Sequence, residues 1–340
     1  VQTCALPILP VAGSLPGPIT LGPDKQLWFT EAAITAMGIG RLTAPPVVSY
    51  TVAGAAGFDA GATSEILWRG SDGSTAMWFL AGGALASGPL VAGPIPGWNI
   101  VGTGDFNGDG AGAGKRDILW RASNGTLGMW LMNGASITAT PTVTFVPNDW
   151  SIVATGDFDG DGKSDILWRN LNGDVAIWLM NGATITSGVV LGNVGANWII
   201  AGAGDFDGNG KADILWRGPN GETAIWFMNG TQLVAGPLGP AAPLSWQIAG
   251  IGDFNGDGKA DILWRNTADG NVAMWLMNGN ALISGPAFGP VDLAWSISAV
   301  ADFTGDGKAD ILWRHTNGTI GYWQMNGAAA IAAPTLGVVP

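Results

Sequence analysis

The chain has 340 residues, 47% of them hydrophobic and 18 of them Trp, which is enough apolar surface to enclose a core. Only 12% are charged, and 55 Gly with 20 Pro interrupt every apolar run well short of the ~20 residues that cross a bilayer, so no membrane span is predicted. A formal net charge of −12 excludes a nucleic-acid backbone as the natural partner and makes cations the expected counter-charge.

The opening residues Val1, Gln2, Thr3, Cys4, Ala5, Leu6, Pro7 and Ile8 match no pattern in the rest of the chain. Back-translated as GTT CAG ACG TGT GCT CTT CCG ATC, they resemble the end of a common sequencing-library adapter. Residues 1–8 are therefore read as an artefact outside the fold, with the true N-terminus missing. Cys4 falls within them, and with no second Cys it supports neither a disulfide nor a thiol site.

Residues 9–45 form the next segment. Within it, Pro18-Ile19-Thr20-Leu21-Gly22-Pro23-Asp24-Lys25-Gln26-Leu27-Trp28-Phe29-Thr30-Glu31, followed by Ile39-Gly40-Arg41-Leu42-Thr43, is similar to one blade of the virginiamycin B lyase family, which are propellers. That resemblance implies a catalytic centre drawing His and Glu from several blades. Here a single unit is present, Glu31 belongs to its repeat consensus, and the one His of the chain, His315, lies far downstream. Only 14 residues separate Thr43 from Gly57, against 23 between Gly182 and Asp205, so one strand is missing at this junction.

From residue 46 to 340 a repeat governs the sequence. An Ile-Leu-Trp-Arg segment recurs with arginines at Arg69, Arg121, Arg169, Arg217, Arg265 and Arg314, spaced by 52, 48, 48, 48 and 49 residues. A second apolar stretch follows around Trp78, Trp130, Trp178, Trp226, Trp275 and Trp323. A third aromatic precedes each unit's acidic loop at Tyr50, Trp98, Trp150, Trp198, Trp246 and Trp295. Short alternating segments such as 150–153, 165–169, 175–180 and 183–186 read as strands, and nothing reads as a helix. Asn-Gly pairs at Asn124, Asn172, Asn220 and Asn317 mark tight hairpins. Each unit is thus a four-stranded antiparallel meander of blade length, and the fold class is an all-β propeller. Six full blades plus the three-stranded partial unit predict seven blades in total. The tryptophans admit a sugar-binding reading, but their recurrence in nearly every unit favours packing between blades. The arginines either ring one face as an anion site or stack on Trp and pair with nearby acids.

Five units carry a loop of the form D-x-[DN]-G-[DN]-G-x-x-D between first and second strands. Its candidate ligands are Asp157, Asp159, Asp161 and Asp165; Asp205, Asp207, Asn209 and Asp213; and Asp253, Asn255, Asp257 and Asp261. Oxygen-bearing side chains at positions 1, 3 and 5, a closing acid at position 9 and a main-chain carbonyl at position 7 make a hard-cation cage that suits Ca²⁺ better than Mg²⁺. Lys at position 7 is then expected to point its ammonium outward, and Phe at position 2 to anchor the loop in the core. In the last unit Asp302, Thr304, Asp306 and Asp310 replace one acid or amide by a hydroxyl, predicting a weaker site. In the second, residues 111–114 are additional, so Asp105, Asn107 and Asp109 are secure and Asp117 less so. The first unit offers Gly57, Asp59, Gly61 and Glu65 and is expected to bind no metal. Five divalent ions would offset ten of the twelve net negative charges. Plain Asx turns without metal do not require this alternation at five loops, and an EF-hand lacks its Glu at position 12.

These loops, each followed by a hydrophobic strand at blade-length spacing, resemble FG-GAP or VCBS repeats over about 290 residues, the family that includes the integrin α propeller. The resemblance implies a seven-bladed propeller with Ca²⁺ in certain loops. Its Trp-Arg and Trp-Leu-Met-Asn-Gly strands are similar to a bacterial branch found in secreted or surface proteins. The Phe-Gly and Gly-Ala-Pro elements are largely absent, so integrin-type ligand binding does not carry over, while mushroom lectins with related repeats keep sugar binding open. The expected function is a calcium-binding, non-enzymatic module of an exported bacterial protein, secreted or at the cell surface. It would act in adhesion, scaffolding or lectin-like glycan binding, with a glycan or an extracellular protein as ligand. The alternative is a fragment of a propeller enzyme such as a streptogramin-type lyase. Against it, the carboxylates are taken up in repeated cages and His is almost absent.

Overall fold

A computed structural model describes the backbone of residues 15–21, 27–33 and 36–42, and residues 48–110 and 115–339 in full. The artefact reading of residues 1–8 and the extra residues 111–114 lie outside the described residues. The chain divides into two compact units, Val1–Val48 and Ser49–Pro340. The first contains a three-stranded antiparallel sheet of Leu15–Leu21, Leu27–Ala33 and Ala36–Leu42. The second is a six-bladed propeller with no helix among the described residues.

Blades one to six span residues 50–92, 98–145, 150–193, 199–241, 246–290 and 295–338. Blade three shows the local logic. Its first strand, Trp150–Gly156, pairs antiparallel with Asp165–Asn170, which pairs with Asp174–Asn181, which pairs with Thr184–Asn193. The second strand reads as a continuous apolar run because both its faces are covered. Ile166 and Trp168 pack against Leu119 and Met129 of the preceding blade, while Leu167 faces Ile214 and Trp216 of the next. Six such cores fill the six junctions. Burying one indole removes roughly 150–250 Å², an upper limit of about 4–6 kcal/mol per Trp.

The fourth strand differs among blades for a covalent reason. In blade three, where Gly188 is followed by Val189, it runs unbroken for ten residues. In the others a proline at the equivalent place (Pro89, Pro141, Pro237, Pro286 or Pro334) lacks the N–H a ladder needs, and the strand splits in two. The proline carbonyl still accepts from the third strand, as from Met129 N to Pro141 O at 2.9 Å.

The ring closes at six, which corrects the expectation of seven blades. Blade six packs directly on blade one, with Phe303, Leu312 and Ile320 in one core with Ile66 and Trp68. Arg314 donates to the carbonyl of Tyr50, and Ser64 N donates to Asp302 O at 2.6 Å.

The arginines stack on tryptophan, each over the second-strand indole of the following blade. The pairs are Arg69–Trp120, Arg121–Trp168, Arg169–Trp216, Arg217–Trp264, Arg265–Trp313 and Arg314–Trp68, at 4.8–5.7 Å from the ring centroid. Their expected pairing with acids is replaced by donation to main-chain carbonyls. Arg217, for example, donates to Gly221, to Ala242 at 2.7 Å and to Pro243 at 3.1 Å. A planar fork of five donors satisfies the loop carbonyls that no ladder reaches, which excludes it from serving as a free anion ring.

Candidate metal centre

Each acidic loop is assembled by its own side chains. In the third blade, Asp157 Oδ1 accepts from Gly160 N at 2.7 Å and Oδ2 from Gly162 N at 2.8 Å. Both glycines have positive φ, +80° and +83°, so the curvature that folds positions 4 and 6 around position 1 is one that L side chains rarely adopt. Asp159 Oδ1 accepts from Asp161 N at 3.1 Å. Asp165, at the start of the second strand, is buried, and its two oxygens accept from Phe158 N and Met180 N, both at 2.9 Å. Phe158, between the first two ligand positions, is fully buried. Its counterparts Phe58, Phe106, Phe206, Phe254 and Phe303 are fully buried too, as the anchor role requires.

Carboxylate oxygens of Asp157, Asp159 and Asp165 lie within 4.8 Å of one another, and so do those of Asp205, Asp207 and Asp213. Asp161, expected to complete the first of these sets, instead accepts from Lys163 N and from Lys163 Nζ, each at 2.8 Å. Asn209, Asp257 and Asp306 likewise accept from the main chain of Lys211, Lys259 and Lys308. The lysine ammonium groups are therefore not all free in solvent. That of Lys163 pairs with a ligand position, and those of Lys211 and Lys308 donate to Asn229 and Asn326.

The remaining loops repeat the scaffold. Asp253 accepts from Gly256 and Gly258 at 2.6 and 2.7 Å, and Asp261 from Phe254 and Met277 at 3.1 and 2.8 Å. Asn255 Oδ1 accepts from Asp257 N at 2.8 Å. Asp302 and Asp310 hold the same partners in blade six, and Thr304 donates to Asp302 Oδ1 at 3.4 Å. In blade two, Asp105 accepts from Gly108 and Gly110, and Asn107 from Asp109 N. Asp117 there is as buried as Asp165 and accepts from Phe106 N at 3.0 Å and Met132 N at 2.9 Å, so the four-residue insertion leaves the closing acid in place. In blade one Glu65 accepts from Phe58 N, but Gly57 has no side chain to cap the loop.

Burial pushes the closing carboxyls far above the ordinary aspartate range. Asp117, Asp165, Asp213 and Asp261 are raised to about 7 and Asp310 to about 6. Their two amide hydrogen bonds oppose the shift, and the neighbouring loop aspartates reinforce it. Such a set of convergent, partly dehydrated oxygens is chemically suited to a hard divalent cation.

The amides of Met132, Met180, Met228, Met277 and Met325, which hold the closing acids, were not assigned a role from sequence. The signal was available: they follow their Asp by 15 residues, or 16 in blade five, inside the recurrent Met-Asn-Gly. His315, the one histidine, packs edge-on against Trp295 and accepts from Asn317 N in a turn contact.

A second repeated feature lies at the blade junctions. Pockets of about 200–300 Å³ are lined by Trp150, Trp168 and Trp178; by Trp98, Trp120 and Trp130; by Trp295, Trp313 and Trp323; and by Tyr50, Trp68 and Trp78. The second-strand indole in each is buried with its Nε1–H unpartnered.

The FG-GAP-like repeat matches this chain four times, at residues 112–168, 157–216, 205–264 and 253–313. No curated protein matches. Among solved structures, the chain is similar to BBS1N in complex with ARL6DN, in a crystal soaked with mercury, at 12% identity and a TM-score of 0.48. That likeness covers 85% of this chain and 82% of the other. A lead-soaked crystal of the same complex gives 13% identity, the same coverage and a TM-score of 0.48. Raptor of Chaetomium thermophilum gives 9% identity and a TM-score of 0.47, covering 84% of this chain and 25% of that one.

Proposed function

This chain belongs to the FG-GAP-like repeat family, and from that premise we propose that it is a calcium-stabilised, non-enzymatic propeller module of an exported bacterial protein, serving adhesion, scaffolding or glycan binding. The observation that carries the calcium reading is the grouping of Asp157, Asp159 and Asp165, and of Asp205, Asp207 and Asp213, on a loop scaffold that three further blades repeat. Calcium supplies two positive charges to carboxylates that burial and mutual repulsion otherwise disfavour. The chain's own residues do the rest. Asp157 shapes the loop by holding two glycine amides, Asp165 ties it to the third strand, and Phe158 fixes the ligands on either side of it.

The junction pockets support the glycan arm of the reading. A sugar ring offers C–H faces that suit the aromatic rings lining these pockets. A chain whose one Cys, Cys4, has no partner, and calcium sites expected to be as weak as those of extracellular modules, favour export. The test has two parts. Calcium bound per chain, counted by atomic emission after dialysis in ~1 mM Ca²⁺, is expected to be five, and none bound overturns the metal reading. A panel of immobilised glycans is then probed with and without EDTA. Turnover of a streptogramin lactone by the chain would instead establish the enzyme alternative.

A further inference from the structure

We propose that the five loops take up calcium as a coupled series, not as independent sites, each loop passing its order to the next through the main-chain carbonyl of its first aspartate. This rests on the calcium reading above and adds to it a mode of regulation.

The links are hydrogen bonds that no sequence motif announces. Ser164 N donates to Asp105 O, Ala212 N to Asp157 O and Ala260 N to Asp205 O, each at 2.6 Å, and Ala309 N donates to Asp253 O at 2.7 Å. Every acceptor is the residue whose carboxylate caps two glycines of its own loop. Every donor immediately precedes the closing acid of the next loop: Asp165, Asp213, Asp261 or Asp310. A loop held rigid by an ion therefore presents a fixed carbonyl to the amide beside its neighbour's deepest ligand.

Two further contacts run the same way. The turn amides of Gly182, Gly230, Gly279 and Gly327 donate to the carbonyls of Phe106, Phe158, Phe206 and Phe254 at 2.7–2.8 Å. The stems of Lys163, Lys211, Lys259 and Lys308 lie across Gly108, Gly160, Gly208 and Gly256 of the preceding loops, where an added methyl would sit only 3.2–3.3 Å from a lysine carbon.

The series has ends. At the closing junction Ser64 N still donates to Asp302 O, but Ala62 lies against Gly305 where other junctions have lysine, and the first-blade loop lacks an acid at position 1. Order thus passes from loop two to loop six and stops at blade one. When one binding event removes conformational freedom that the next would otherwise have to remove, the second is favoured.

The experiment is a calorimetric titration of the whole chain with calcium chloride after EDTA treatment. The expected result is a Hill coefficient above one. Asp159→Ala is expected to abolish one site and weaken the adjacent sites about fivefold. Ala212→Pro deletes the N–H between loops three and four while leaving every ligand side chain in place, and should flatten the curve while keeping five ions at saturation. If that variant does not fold, the first two measurements decide. A Hill coefficient of one with four unaltered sites in Asp159→Ala overturns the coupling alone. No calcium uptake by the wild-type chain overturns the metal reading and the coupling with it.

Discussion

Truncating the aromatic at position 2 separates what a loop contributes to packing from what it contributes to binding. Phe158 is fully buried and packs with Leu167, Val175 and Ile177 of its own blade and Ala212, Ile214 and Trp216 of the next. Phe158→Ala leaves a cavity between two sheets whose separate ladders resist collapse, so the cost is about 4 kcal/mol. For a unit of this size 1 kcal/mol moves Tm by about 2 °C, which puts the melt in EDTA about 8 °C lower. Phe58 occupies the same place in blade one, fully buried with Leu67, Met77, Ile118 and Trp120, and Phe58→Ala should lower the EDTA melt by a similar amount. The two variants part in calcium. Phe158 holds Asp157 and Asp159 on either side of it, so its loss should cost one bound ion at ~1 mM Ca²⁺, whereas Phe58→Ala should keep all five. Scanning calorimetry in EDTA and calcium counting after dialysis read the two effects. Full calcium occupancy in Phe158→Ala, or an ion lost from Phe58→Ala, would refute the claim that this ring positions the ligands.

Chelation should be severe: with ~1 mM Ca²⁺ and a Kd of ~0.1 mM, each site adds about 1.4 kcal/mol and five add about 7, so EDTA lowers Tm steeply and excess magnesium restores little of it. Superimposable melts in calcium, EDTA and EDTA with magnesium would contradict this. The pH dependence follows from the closing acids, whose folded values near 6–7 exceed the unfolded 3.8, so the folded chain without metal holds more protons between about pH 4 and 7. Its Tm in EDTA should fall as pH rises from 5 to 8, while the increment due to calcium grows over the same range because calcium needs the ionised form. A Tm in EDTA that rises with pH would invert the assignment. Arg217→Ala removes a guanidinium stacked 4.8 Å from Trp264 and takes a donor from the carbonyls of Gly221, Ala242 and Pro243; a loss of about 3 kcal/mol by denaturant titration is expected, and Arg217→Lys should recover little of it.

Much of this architecture was legible because every unit writes the same message. Ile166, Leu167 and Trp168 announce a strand covered on both faces, and the alternating oxygens from Asp157 to Asp165 announce a cation cage. The ring size was not legible: whether blade six meets blade one depends on Phe303 reaching Ile66 and Arg314 reaching Trp68 across the whole chain, and no local pattern encodes that distance. Nor was the partner of each arginine, since the indole it covers lies about 50 residues ahead, or for Arg314 back in blade one, and the carbonyls it satisfies have no side-chain signature. Spacing alone treats residues 111–114 as a displacement of Asp117, whereas its carboxylate holds the same two amides as the closing acids of the uninterrupted loops. The fate of Asp161 turned on the flexible reach of Lys163, which a motif does not specify.

Every sheet of the ring is built from one uninterrupted stretch of chain, from the first strand of blade one pairing only within 50–92 to the last of blade six pairing only within 295–338. No strand is lent across the closing junction, so the place where the polymer begins and ends in the ring is topologically equivalent to the five junctions where it continues. A circular permutant opened at any of those five, with the old ends joined by a linker, would keep every backbone ladder. By the same reasoning, copying one unit in the gene adds a complete blade with its own loop and its own half of two junctions, without requiring any existing sheet to give up a strand. Blade number can therefore change by whole units while each blade's fold stays as it is.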